Sequence, residues 1–187
     1  LSNILSWLVT SLSLEMHQLS ISPVRAVRGE LTVPGDKSIS HRYVLLSALA
    51  SGRSVIAHLS SGADVAATMF CMRALGVDVV QEGPDQVAIT GRGYLGWTPP
   101  REPLNAVNSG TTMRLLAGLL AAHRFRSTLI GDASLQRRPM GRVIDPLTAM
   151  GARVGSHAGR APLTIDGGPL HGIHWTPSVP SAQIKSA

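Results

Sequence analysis

A chain of 187 residues, 44% of them apolar, is long enough for one large domain or two small ones with a real core. Its 19 glycines and 4% aromatics favour close helix–sheet packing over an aromatic core. The formal charge of +6 comes from bases scattered among apolar residues, with no Lys/Arg run and no interleaved aromatics. That pattern excludes a nucleic-acid-binding surface and points to small anionic ligands. No stretch approaches the roughly 20 apolar residues of a membrane span, and the single Cys71 excludes an internal disulfide and fits a reducing, cytoplasmic setting.

Residues 1–15 lack a basic n-region, a cleavage site and an initiating Met, so they read as an extraneous or disordered leader, and Met16 opens a more ordinary beginning. Residues 30–33 form an extended run closed by Pro34-Gly35. Asp36 and Ser38 are both good N-cap residues for an apolar helix over 39–50. The first N–H groups of a helix are unpaired and partly positive. With Lys37 beside them and Arg42 one turn deeper than Ser38, the turn reads as a site for phosphate or carboxylate. A capped surface helix with two solvated bases is the plainer alternative.

A strand over 54–57 follows, then a loop at 60–62 and a helix over 65–75, capped by Asp64 and stopped at Gly76. Cys71 falls in its apolar pattern, as a structural thiol would. Strands over 77–80 and 86–90 are joined through Gly83-Pro84-Asp85, and 91–103 reads as a linker or exposed turn. The plan then restarts. A strand over 104–107 leads through the polar turn Asn108-Ser109-Gly110-Thr111-Thr112 into a helix over 113–122. A strand over 127–130 and a helix over 140–150 follow, with Pro139 in its first turn and Gly151 at its end. Strands over 152–154 and 162–165 complete the unit.

Both halves thus follow one order, strand–helix–strand–helix–strand–strand. Arg114 lies 72 residues after Arg42 and Lys185 lies 71 after Arg114; each follows a small residue (Ser38, Gly110, Ser181) by four positions. A third copy is expected to open with a strand over 173–179 and a turn at Pro180-Ser181 entering a helix. The helix is barely begun at Ala187, and a repeat unit cut there cannot bury its apolar face, so the chain reads as part of a longer protein. The expected organisation is a leader (1–15) and an α/β region (16–187) with repeats over about 30–103, 104–172 and 173–187. Three helix starts, each with a base one turn in, would converge on one polyanion.

Four segments resemble, in order and spacing, successive motifs of the 5-enolpyruvylshikimate-3-phosphate (EPSP) synthase family. They are Pro34-Gly35-Asp36-Lys37-Ser38-Ile39-Ser40-His41-Arg42, Asn108-Ser109-Gly110-Thr111-Thr112-Met113-Arg114, Leu135-Gln136-Arg137-Arg138-Pro139-Met140-Gly141-Arg142 and Ser181-Ala182-Gln183-Ile184-Lys185-Ser186-Ala187. The resemblance implies an enolpyruvyl transferase-like inverse α/β fold of βαβαββ repeats, here truncated in the third. It also implies transfer of the enolpyruvyl group of phosphoenolpyruvate to the 5-hydroxyl of shikimate 3-phosphate. By the same resemblance Lys37 contacts both substrates as the catalytic lysine, and Ser38 and Arg42 bind shikimate 3-phosphate. Asn108 and Gly110 line the phosphoenolpyruvate pocket and Arg138 holds its anionic groups. Ser181, Ala182 and Gln183 form the loop for the shikimate phosphate, with Gln183 also near phosphoenolpyruvate.

The chain departs from the family pattern in two places: Val107 replaces the glycine usual before the Asn, and Ala182 a frequent second serine. Gly110 is where larger residues block the inhibitor glyphosate, so sensitivity is implied. No cofactor is implied, and the acid–base residues and further phosphoenolpyruvate ligands would come from the family's later portion, leaving this chain inactive alone. A UDP-N-acetylglucosamine enolpyruvyl transferase-like enzyme is the alternative within the class, but it lacks the Pro-Gly-Asp-Lys-Ser motif and carries a loop cysteine. A non-catalytic module for phosphorylated ligands is the alternative outside it. His171 and His174, beside Trp175, read as solvated or strand-capping histidines more readily than as a metal site, since no carboxylate or Cys cluster adjoins them.

Overall fold

The computed structural model describes residues 22, 23, 25, 26, 28–177 and 180–187, and the fold below concerns Val33–Ala187, one compact unit. The leader expected over 1–15 lies outside the described residues.

Helix α1 (Lys37–Leu49) starts where Asp36, in extended backbone, accepts the Ile39 N–H on its carboxylate at 2.8 Å. Asp36 is therefore the cap, and Ser38 sits in the first turn. Strand β1 (Ser51–Ile56) follows, three residues earlier than its apolar run suggests, because its ladder with the strand over 87–92 reaches back to Ser51 opposite Arg92. Helix α2 (Ala63–Ala74) is preceded by Gly62 at the cap position, so Asp64 lies in the first turn, where a carboxylate still complements the helix dipole. Strands β2 (Asp78–Gln81) and β3 (Val87–Arg92) complete an antiparallel sheet in the order β1-β3-β2. The stretch expected as a linker is partly strand and partly core. Gly91 pairs with Gly52 in the ladder, and Trp97 is buried, donating its indole N–H to the Ala48 carbonyl at 3.2 Å.

The elements that follow are β4 (Leu104–Asn105), α3 (Gly110–Ala121), β5 (Arg126–Ile130), the short α4 (Ala133–Gln136), α5 (Gly141–Ala149), β6 (Arg153–His157) and β7 (Arg160–Asp166). Their sheet runs β4-β5-β7-β6, with β4 and β5 parallel and the others antiparallel. Helix α5 is entered through Met140, so Pro139 precedes the cap instead of occupying the first turn. α4 was not legible as a separate turn; Asp132 creates it by accepting the Leu135 N–H at 2.8 Å.

In the second sheet an opening strand, β4, pairs beside β5. In the first, residues 30–33 form no strand, and Leu31 and Val33 are exposed. An isolated extended run has no ladder to complete, and among the described residues nothing pairs with it. The opening strand expected over 173–179 is likewise absent from 173–177, and 178–179 lie outside the described residues. Among the described residues the last element is α6 (Ala182–Ser186). The core joins both sheets to the buried faces of α1, α2 and α3, through Val44, Leu45, Met72, Leu75, Met113, Leu116 and Leu163 among others.

The strand expected over 104–107 stops at Asn105, since Val107 adopts a left-handed backbone (φ 52°). There its N–H meets Asn105 Oδ1 at 2.8 Å and its carbonyl takes the Asp132 N–H at 2.7 Å. A β-branched residue is costly in that region, and the half-exposed side chain gains little from burial. Val107→Gly is therefore expected to stabilise the fold by about 1 kcal/mol after the extra entropy of an unfolded glycine is deducted. Urea denaturation checks this: the midpoint should rise for Val107→Gly, and a fall would contradict the strain.

Candidate functional site

Lys37 opens α1 with its side chain about half exposed, and its Nζ donates to Asp64 Oδ2 at 2.9 Å, at the start of α2. Arg42, one turn in, folds Nη1 back onto the Ser38 carbonyl at 3.1 Å and sends Nη2 to Ser186 Oγ at 2.8 Å, tying α1 to α6. Ser38 itself is exposed on the first turn.

Helix α3 starts at Gly110, three residues before the apolar pattern suggests, because Ser109 caps it by accepting the Thr112 N–H at 3.1 Å. Thr111 and Thr112 thereby enter the first turn. Asn108 is exposed and Gly110 buried. A Cβ at position 110 would lie 2.8 Å from Arg114 Nη1 and 3.3 Å from Arg138 Nη1, so both guanidinium groups crowd the start of α3. Arg114 is only 8% exposed and donates to Gln183 Oε1 at 2.8 Å, while Gln183 Nε2 donates to Thr111 Oγ1 at 2.9 Å. Ser181 and Ala182 begin α6 beside this pair.

Three helices from successive parts of the chain are thus linked, α1 to the last residue of α6 through Arg42, and the start of α3 to the start of α6 through Arg114, Gln183 and Thr111. Burial holds the Arg114 guanidinium below its usual range, and the charges of Arg142 and Arg138 push the same way. Buried Arg114 Nε has no partner among the described residues. Cations gathered at a helix N-terminus suit an anion.

The sequence offers Arg114 as a base one turn into its helix. The repeat spacing that aligns it with Arg42 was the available signal, and its burial was not readable. The sequence offers Asp64 as a cap; its pairing with Lys37 is a tertiary contact with no sequence mark. Cys71 is buried on α2, as its apolar setting suggested, and burial pushes its thiol up to about 12.

Residues 21–187 match the model of the EPSP synthase family, 3-phosphoshikimate 1-carboxyvinyltransferase. The chain belongs to the EPSP synthase family. A 3-phosphoshikimate 1-carboxyvinyltransferase of Acidithiobacillus ferrooxidans is 53% identical over 174 residues, covering 92% of this chain and 40% of that relative. One of Alkalilimnicola ehrlichii is 55% identical over 178 residues, with 93% and 39% covered. The EPSP synthase structure from Acinetobacter baumannii superposes with a TM-score of 0.81 at 42% identity, over 84% of this chain and 36% of that one. The chain therefore has the fold of this family's members, mixed α/β, and spans about 40% of the length of the relatives it matches. No helix among the described residues is long and apolar enough to cross a membrane.

Proposed function

We propose that this chain forms the shikimate 3-phosphate-binding part of an EPSP synthase, which transfers the enolpyruvyl group of phosphoenolpyruvate to the 5-hydroxyl of shikimate 3-phosphate and releases phosphate. The observation that carries the reading is that α6 is bonded to α1 through Arg42–Ser186 and that the starts of α3 and α6 are joined through Arg114–Gln183–Thr111. Such starts present unpaired N–H groups with nearby cations. In this reading Lys37, Ser38 and Arg42 hold shikimate 3-phosphate from α1, and Ser181, Ala182 and Gln183 take its phosphate from α6. Asn108, Gly110 and Arg138 line the phosphoenolpyruvate side. Lys37 exchanges its bond to Asp64 for substrate and places positive charge where the transition state needs it.

The reaction protonates a methylene carbon and deprotonates a hydroxyl. Those groups come from the portion of the relatives beyond the match, so this chain positions ligands and requires that portion as partner. The cytoplasm is the proposed setting, with no cofactor. A buried thiol held up to about 12 on α2 does not suit the loop-acid role of the UDP-N-acetylglucosamine enzymes. A side chain at position 110 would displace the guanidinium groups packed against Gly110, which gives a physical reason for glyphosate to depend on this residue.

Titration calorimetry of the chain with shikimate 3-phosphate at low salt tests the reading. Saturable binding is expected, weakened roughly 10- to 100-fold by Lys37→Ala or Arg42→Ala, the worth of a charge-assisted hydrogen bond. A chain indifferent to shikimate 3-phosphate, or variants that bind as well as the parent, would contradict it.

A further inference from the structure

Beneath the candidate site runs a line of four polar side chains, all fully buried: His41 on α1, Thr68 on α2, Thr112 in the first turn of α3 and its cap Ser109. His41 Nδ1 lies 2.7 Å from Thr68 Oγ1, Thr68 Oγ1 lies 2.8 Å from Thr112 Oγ1, and Thr112 Oγ1 lies 2.8 Å from Ser109 Oγ. Thr112 Oγ1 also reaches the Asp64 carbonyl at 3.2 Å. One assignment fits all of these distances. The His41 Nδ1–H donates to Thr68, Thr68 donates to Thr112, and Thr112 donates to the Ser109 hydroxyl, with the Asp64 carbonyl as a second, longer acceptor. It leaves His41 Nε2, which has no partner among the described residues, as a bare lone pair, and an orphaned lone pair is less costly than an orphaned N–H.

The placement of this line is what suggests a role. His41 lies one turn below Lys37 and Thr68 one turn below Asp64, so Lys37–Asp64 and His41–Thr68 are successive rungs between α1 and α2, each spanning 27 residues. Thr112 then joins the lower rung to the start of α3. Hydrogen bonds of 2.7–2.8 Å narrow how far one helix slides or turns against its neighbour beyond what apolar packing alone allows.

We propose that His41, Thr68 and Thr112 are positioning residues, a hydrogen-bonded relay that sets the start of α3 against the start of α1 so that both address one anion. The anion itself rests on the function proposed above; the relay does not. Thr68→Val removes the hydroxyl and keeps the shape, whereas Thr68→Ser keeps the hydroxyl and loses a methyl. Each variant is to be studied as the whole chain, under conditions where it is folded.

Hydrogen exchange followed by NMR reads the relay without any ligand. In Thr68→Val the Thr112 and Met113 amides, which bond to Ser109 Oγ and the Ser109 carbonyl, should exchange at least tenfold faster relative to the amides of β7. In Thr68→Ser they should stay within threefold of the parent. Titration with shikimate 3-phosphate adds the second readout, a dissociation constant about tenfold higher for Thr68→Val and near the parent value for Thr68→Ser. Equal acceleration at α3 and β7, or indistinguishable Val and Ser variants, would overturn the relay. If the parent chain does not bind the ligand, the functional reading falls and the exchange comparison still decides the relay.

Discussion

Between pH 7 and pH 4 the chain is expected to lose about 3 kcal/mol of folding stability through His41 alone. The ring is fully buried, and burial lowers its pKa from 6.5 to about 4. Asp64 opposes that shift, while Lys37 and Arg42 add to it. In the unfolded chain the same imidazole takes up its proton near 6.5. Between the two values the unfolded state holds more protons, so stability rises with pH across this window. The contribution is complete above pH 6.5 and is lost as pH falls through about 4. A shift of that size corresponds to about 3 kcal/mol. Asp132, whose carboxyl is held below its usual value mainly by the Leu135 N–H, gives up its share only at lower pH. Urea unfolding from pH 7 to pH 4 should show a slope near one proton for the parent and a nearly flat profile for His41→Asn. Parallel profiles would show that His41 is not the titrating group.

Gly91→Ala is expected to cost about 3 kcal/mol, at the upper end of overpacking, and to lower the melting temperature by roughly 6–12 °C. Gly91 sits in β3 under the C-terminal end of α1, where an added Cβ would lie 2.2 Å from both the Ser47 and Ala50 carbonyl oxygens. Both are backbone atoms, so no side chain can turn aside, and the helix must lift off the sheet. Gly155, in β6, is the control: its Cβ would meet Thr164 at 3.7 Å, an ordinary contact, and Gly155→Ala should change stability by less than about 0.5 kcal/mol. Calorimetric melting of the two variants measures the contrast, and equal melting temperatures would remove Gly91 as the seat of helix–sheet closeness.

Much of this architecture was legible because it is written in local chemistry. Cap residues and apolar spacing marked four helices, and Gly76 and Gly151 ended two of them in left-handed backbone, at φ 84° and 99°. Illegible features depend on something distant in the chain. Residues 30–33 read as a strand on composition, yet a strand exists only with a partner beside it. Trp97 looked like part of an exposed linker; it is core because His123 stacks on it at 4.6 Å between ring centroids. The candidate site divides in the same way. Lys37, Arg42, Gly110 and Arg138 stand in motifs whose spacing is visible, whereas the burial of Arg114, the hold of Asp64 on Lys37 and the His41–Thr68–Thr112 line arise only when helices meet.

Residue-resolved NMR titration of the chain with shikimate 3-phosphate tests most directly whether helix starts from separate repeats serve one ligand. The account predicts that amide signals of Ser38, Gly110 and Gln183 move together, along curves described by a single dissociation constant. Movement confined to one helix start, or separate constants for the three, would contradict it.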